Sequence, residues 1–246
     1  MLSNMIILFV YCINILSIVN MKIAYVHRKH FENAGDWWST PHHYFQKGDV
    51  YDFIDNPMKY ESKDYDLLII GGGGILELED LPKHQRWINR LNPKKKVIWG
   101  AGASKNTFGH DFYNQFDLIG LRNATSPYPF VPCVSCLHPL LKFQTHGNGE
   151  IIIGHNKRPL PNQNHNQHVP IETSIKNIIN AKKIITTSYH IYYWSRLMGK
   201  NTELAINTTY PGWKPVAEKY FTFPKNIELE KFRKIQLQFS RLVYSL

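Results

Sequence analysis

One segment limits what this chain can fold into more than any other: Asp66-Leu67-Leu68-Ile69-Ile70 runs straight into four glycines, Gly71–Gly74. An apolar run without alternation marks a strand buried on both faces, which is the environment of a parallel sheet covered by helices on each side. The same order then recurs. A helix is expected over Pro82–Leu91, closed by Asn92-Pro93, and the strand Val97–Trp99 ends in Gly100-Ala101-Gly102-Ala103-Ser104. A helix around His110–Phe116 leads to a strand over Asp117–Leu121. Upstream, Met21–His27 alternates as a first strand, Asn33–Tyr44 reads as a polar, aromatic loop, and Val50–Ile54 is a short strand. Strand, glycine turn and helix in repetition argue for a doubly wound α/β sheet.

The segment Pro127–Pro139 holds four prolines and reads as a connection. A second α/β set follows: strand Glu150–Gly154, helix Ile171–Ala181, strand Lys183–Thr187, helix His190–Met198 and strand Thr202–Ile206. Residues 228–246 form a closing amphipathic helix, with Leu229, Phe232, Ile235, Phe239, Leu242 and Val243 on its apolar face. A chain of 246 residues can bury a real core, as one large domain or two small lobes. The expectation is two Rossmann-like lobes, residues 21–140 and 141–246, with a cleft between them.

Residues 1–20 carry no charged side chain, and the apolar run Met5–Val19 has the length of a signal-peptide core. The first strand begins at once at Met21, with no spacer. Translation from Met21 and a location in the cytoplasm, or on the cytoplasmic face of a membrane, is therefore expected. A signal-anchor of the secretory pathway is the alternative, and residues 1–20 are the one route to membrane association. Asn123-Ala-Thr and Asn207-Thr-Thr are formal glycosylation sequons that decide nothing alone.

The net charge is +10, which favours an anionic partner: a phosphorylated donor, an acidic glycan, a nucleic acid or a membrane surface. Basic residues are scattered, and the densest run, Lys94-Lys95-Lys96, reads as a solvated loop. With no helix-turn-helix, zinc-finger or RNA-recognition signature, a nucleic-acid partner is not expected. Cys133 and Cys136 form a single C-x-x-C that can neither complete a four-thiolate zinc site nor open a thioredoxin-type helix. They read as two buried thiols, with a local disulfide as the alternative. His42-His43, His155, His165 and His168 lack supporting carboxylates, so no metal and no cofactor is expected.

Ligands of parallel sheets collect at the carboxyl edge, where glycines let the backbone amides approach phosphate or carboxylate oxygens. Gly72, Gly73 and Gly74, with Gly100 and Gly102, sit at that edge. Neither turn matches a Walker loop or G-x-G-x-x-G, and tight packing of strand on helix is the alternative reading. Asn33-Ala34-Gly35-Asp36 follows the first strand and can place an amide and a carboxylate over the cleft; Asp36 can also be a helix cap. Thr187-Ser188-Tyr189-His190 puts a histidine on a helix N-terminus at the sheet edge, fit to move a proton near neutral pH, while Ser188 can be a simple N-cap.

Taken in order, Asn33-x-Gly-Asp, Ile70-Gly-Gly-Gly-Gly-Ile-Leu, Trp99-Gly-Ala-Gly, Asp117-Leu-Ile-Gly-Leu-Arg-Asn, Val131-Pro-Cys-Val-Ser-Cys, Ser188-Tyr-His and Trp194…Leu197-Met-Gly-Lys resemble the polysaccharide pyruvyl transferase family. The resemblance covers nearly everything from Met21 to about Ile206. It implies a fold like the two-lobed B-type glycosyltransferases. It also implies transfer of a pyruvyl group from phosphoenolpyruvate, a co-substrate, to two hydroxyls of a glycan as a ketal. His190 matches the family's catalytic histidine, and Arg122 matches the arginine of its R-[DN]-x-x-S turn. On this expectation His190 and Asp36 carry the chemistry. Gly72, Gly73, Gly74, Gly100, Gly102, Arg122 and Ser188 hold the anionic donor. Asn33, Tyr189 and Arg158 lie on the acceptor side. The family's usual Arg-Leu-His is here Ser188-Tyr189-His190, so one donor cation is missing; Arg158 or Lys157 supplies it, or the donor is a nucleotide-sugar. For that second donor Glu203 is the nearest candidate to hold a ribose. A glycan-binding relative without activity is the third expectation.

Overall fold

The computed structural model describes residues 21–30, 32–45, 48–155, 160, 162–163, 165–166, 169–205 and 222–246. The leader 1–20, Lys157, Arg158, His168 and the Asn207 sequon lie outside the described residues. The first half contains β1 (Ile23–His27), α1 (Ala34–Trp37), α2 (His42–Phe45), β2 (Asp49–Asp52), β3 (Tyr65–Gly71), β4 (Gly74–Leu76), α3 (Leu81–Leu91), β5 (Pro93–Ala103) and β6 (Leu118–Leu121). The second contains β7 (Glu150–Gly154), β8 (His165–Asn166), α4 (Ile171–Asn180), β9 (Lys183–Thr186), α5 (Tyr189–Leu197), β10 (Asn201–Leu204) and α6 (Leu229–Val243).

The fold is Rossmann-like α/β, with two sheets whose described pairings are all parallel. The first has six strands in the order β2-β1-β3-β5-β4, with β6 beside β5; the second runs β10-β9-β7-β8. In the six-stranded sheet successive residues feed opposite cores. Ala24, Val26, Leu68, Ile70 and Ile98 join one cluster, and Ile23, Tyr25, Leu67, Ile69, Val97 and Trp99 join the other. That is the two-residue period of a strand buried on both sides, each such side chain contributing about 1.5–3 kcal/mol. The first cluster is closed by α3, whose buried Leu81, His84, Trp87, Ile88 and Leu91 recur at helical spacing. Pro82 opens that helix, and Asn92 ends it in the left-handed conformation (φ +43°).

The second cluster is closed by the far end of α6, through Phe239 and Val243. The near end of the same helix, Leu229 and Phe232, belongs instead to the core of the four-stranded sheet, with Ile153, Ile175, Ile184, Ile191 and Trp194. Between the two ends Gln236 accepts from Trp99 Nε1 at 2.7 Å and donates to the carbonyl of Pro132.

Four expectations are corrected. Lys94–Lys96 are not a loop: β5 starts at Pro93, because Lys94 pairs with Asp66 at 2.7 Å and Lys95 with Asp117 at 2.9 Å across the neighbouring strands. The expected helix around His110–Phe116 is narrowed to a 3-10 helix over residues 111–115, its start tied by Phe112 N–H donating to His110 Nδ1 at 3.0 Å. The expected loop over 33–44 contains two four-residue helices, α1 and α2. Inside the glycine run a further strand, β4, begins at Gly74.

Candidate functional site

The two glycine segments meet. Gly72 and Gly73 both take positive φ (+83° and +67°), a turn that lets β3 stop and β4 restart against the end of β5. Gly74 then pairs with Gly102, and Gly102 N–H donates to Gly73 O at 2.8 Å. A β-carbon on Gly73 would stand 3.0 Å from Asp36 Oδ1, and one on Gly102 only 2.7 Å from Arg122 Nε. These two glycines therefore give passage to site side chains. At Gly72 and Gly100 the missing side chains make room for the Ser39 backbone and, at 2.8 Å, for Pro132 O.

Arg122 leaves the end of β6. Its N–H donates to Ala101 O at 3.1 Å, and the next residue fixes the turn. Asn123 is buried, and its carboxamide brackets Ala103, accepting from the N–H and donating to the carbonyl, each at 2.9 Å. The Arg122 side chain is 4% exposed, with its guanidinium 3.6 Å over the ring of Tyr189. Among the described residues its Nε and Nη1 have no hydrogen-bond partner. A buried guanidinium with free N–H groups is costly unless an anion completes it, and its fork suits carboxylate and phosphate.

Asn33 caps α1. Its side-chain oxygen accepts from Asp36 N at 3.4 Å, and its amide donates to Asp36 Oδ2 at 2.9 Å. Asp36 is thus not a cap. Its carboxylate is turned by Asn33 and lies over Gly73. Gly35 packs directly on the imidazole of His190, where any β-carbon would collide with the ring. This contact joins the loop after β1 to the start of α5.

Ser188 caps α5 by accepting from Ile191 N at 3.4 Å, while its own N–H donates to Thr186 Oγ1 at 3.0 Å. The hydroxyl expected to hold donor is engaged by its own helix. Tyr189, expected near an acceptor, instead forms the floor under Arg122, stacked in turn on Phe223 with centroids 4.9 Å apart. His190 is buried, and its Nε2 lies 3.6 Å from Cys133 Sγ. Burial, then the charges of Arg122 and His155, holds the imidazole well below its usual pKa, so it is neutral at physiological pH. Burial raises the Cys133 thiol, with Arg122 opposing. Both Cys133 and Cys136 are free thiols, and both are buried.

The structure therefore gathers Asp36, Gly73, Gly102, Arg122, Tyr189 and His190 from both halves of the chain. It adds Gly35 and Cys133, which sequence reasoning left in the turn and the core; Cys133 meets His190 across 57 residues, with no local signal. Among the described residues no cluster of His, Cys, Asp or Glu is arranged to hold a metal ion, and no helix is long and apolar enough to cross a membrane.

No protein-family model and no curated protein matches the chain. Among solved structures, it is similar to a functionally uncharacterized protein of Klebsiella pneumoniae, with 14% identity over 89% of this chain and 97% of that one, and a TM-score of 0.49.

Proposed function

We propose that the chain is a transferase whose compact anionic donor sits between Arg122 and the Gly73–Gly102 edge. Following the resemblance to polysaccharide pyruvyl transferases, it moves a pyruvyl group from phosphoenolpyruvate to two hydroxyls of a glycan. The observation that carries this proposal is the buried guanidinium of Arg122, unpartnered at Nε and Nη1 among the described residues, within one constellation with a neutral histidine. A trianion would complete the guanidinium. Asp36, held by Asn33, presents a carboxylate to a sugar hydroxyl, and His190 moves the proton that the methylene carbon of the donor must gain. The proposal includes the finer architecture, two lobes in the B-type glycosyltransferase arrangement with this site between them, and a place in the cytoplasm or on its membrane face.

The nucleotide-sugar alternative finds no support at Glu203. That carboxylate is exposed and paired with Lys183 at 3.2 Å, a lysine that also holds Glu150 at the start of β7.

Thermal unfolding of the full chain with phosphoenolpyruvate tests the assignment. At a hundred times its dissociation constant a ligand adds about 2.7 kcal/mol, roughly 5–10 °C in Tm. The shift is expected with phosphoenolpyruvate and should vanish in Arg122→Gln. A shift with nucleotide-sugars alone would replace the donor. A shift with glycans alone would make the chain a binding protein.

A further inference from the structure

The hydrogen bonds behind His190 have a direction. An indole N–H can only donate, so Trp194 Nε1, 3.0 Å from Ser135 Oγ, occupies that oxygen as an acceptor. The Ser135 hydroxyl also has one proton to place, and among the described residues its other partner is Cys133 Sγ at 3.2 Å; the sulfur accepts it in the arrangement that leaves no proton without a partner. The thiol proton then has one partner remaining, His190 Nε2 at 3.6 Å. Were Nε2 the donor instead, either the thiol proton or the Ser135 hydroxyl proton would be left buried with no acceptor among the described residues.

The sulfur is also held in place. His190, Tyr193 and Trp194 share one face of α5 at i, i+3 and i+4. All three reach the same short segment, the Tyr193 hydroxyl donating to Cys133 O at 2.8 Å. Arg233 of α6 fixes the segment's far end by donating to Cys136 O at 3.1 Å.

We infer that Cys133 is a positioning residue: its thiol holds His190 as the Nδ1–H tautomer, and Nδ1, beside Gly35, is the nitrogen left to meet a ligand. The assignment of the tautomer is independent of the donor; its use in catalysis rests on the function proposed above. There, Nδ1 delivers its proton to C3 of phosphoenolpyruvate, the C2–C3 π pair forming the new C–H bond, while Nε2 takes the thiol proton. The Ser135 hydroxyl and the charge of Arg122 stabilise the sulfur anion. When the first sugar hydroxyl adds to C2, its proton passes to Nδ1 and the proton on Nε2 returns to sulfur. The net change is one proton moved from the hydroxyl to C3; phosphate leaves later, as the second hydroxyl adds to C2 and gives its proton to the Asp36 carboxylate.

The test is spectroscopic and needs no substrate. In the full chain labelled with 15N-histidine, long-range 1H–15N spectra distinguish the two tautomers, and the His190 signals are those lost in His190→Gln. The expected pattern is Nδ1–H in the parent, a shift toward Nε2–H in Cys133→Ala, and return to Nδ1–H in Cys133→Ser, whose hydroxyl also donates. An Nε2–H or doubly protonated ring in the parent, or an unchanged ring in Cys133→Ala, would overturn the inference. An Nδ1–H ring in a protein that phosphoenolpyruvate fails to stabilise would uphold the tautomer and reject the donor, so the two failures are separable.

Discussion

The two sheets follow one parallel plan with unequal cover. In β3 of the six-stranded sheet every residue but Asp66 is buried, and adjacent side chains enter different cores. In the four-stranded sheet Ile153 and Ile184 are buried, whereas Ile152 and Ile185, paired on the opposite face, are only half-buried. The better-covered sheet carries Arg122, a buried cation that needs a rigid setting. The other carries His190. A buried cation and a buried imidazole thus lie on sheets of unequal cover, and three measurements probe that contrast.

The largest effect should come from acid. His27 and His84 lie in the six-stranded half, fully buried and held at about 3 and about 4, chiefly by burial. Their folded pKa values are depressed, so the unfolded chain binds these protons first. Stability is complete above about pH 6.5 and falls as the pH drops toward the folded values. At pH 5 the pair should cost about 4 kcal/mol, with His190 adding in the same direction. Urea midpoints at pH 7.5 and 5 check this, and His27→Gln should flatten the dependence; a flat parent profile would refute it.

Next comes packing. Trp99→Ala should cost about 3–5 kcal/mol and leave Gln236 without its indole donor. Ile185→Ala, on the half-covered face, should cost roughly 1–2 kcal/mol. Equal losses in chemical unfolding would mean that both sheets are equally enclosed.

The smallest effect concerns a polar clamp. Buried Lys200 donates to the carbonyls of His146, Ile179 (2.7 Å) and Ala181 (3.0 Å), gathering the end of α4 and the loop before β7. Lys200→Met keeps the stem but strands those carbonyls, at about 1–3 kcal/mol. Amide exchange should quicken at the end of α4 while β3 stays protected. Faster exchange in both would show that the halves unfold together.

What could be read in advance follows the same contrast. Leu67–Ile70 read as a doubly buried strand because its apolar run ends in glycines, and Pro82–Leu91 as a helix because Asn92-Pro93 closes it. Lys94–Lys96 misled because charge looks like loop until Asp66 and Asp117 arrive from other strands to neutralise it. Asp36, Arg122 and His190 were legible as candidates from their places at strand ends. The roles of Cys133 and Gly35 were not, since each depends on an imidazole brought from a distant segment, and Ser188 reads alike as cap or ligand until its hydrogen bonds are seen.

The path of α6 has a consequence for how the protein is made. Trp99 and Gln236, which close the second face of the six-stranded sheet, are separated by 137 positions. At ribosomal rates of about 5–20 residues per second, that is roughly 7–27 s during which Ile23, Tyr25, Leu67, Ile69, Val97 and Trp99 have been synthesised but lack their cover. A nascent chain at that stage presents a broad apolar sheet face to the cell, so its dependence on chaperones is set by translation speed between β5 and α6.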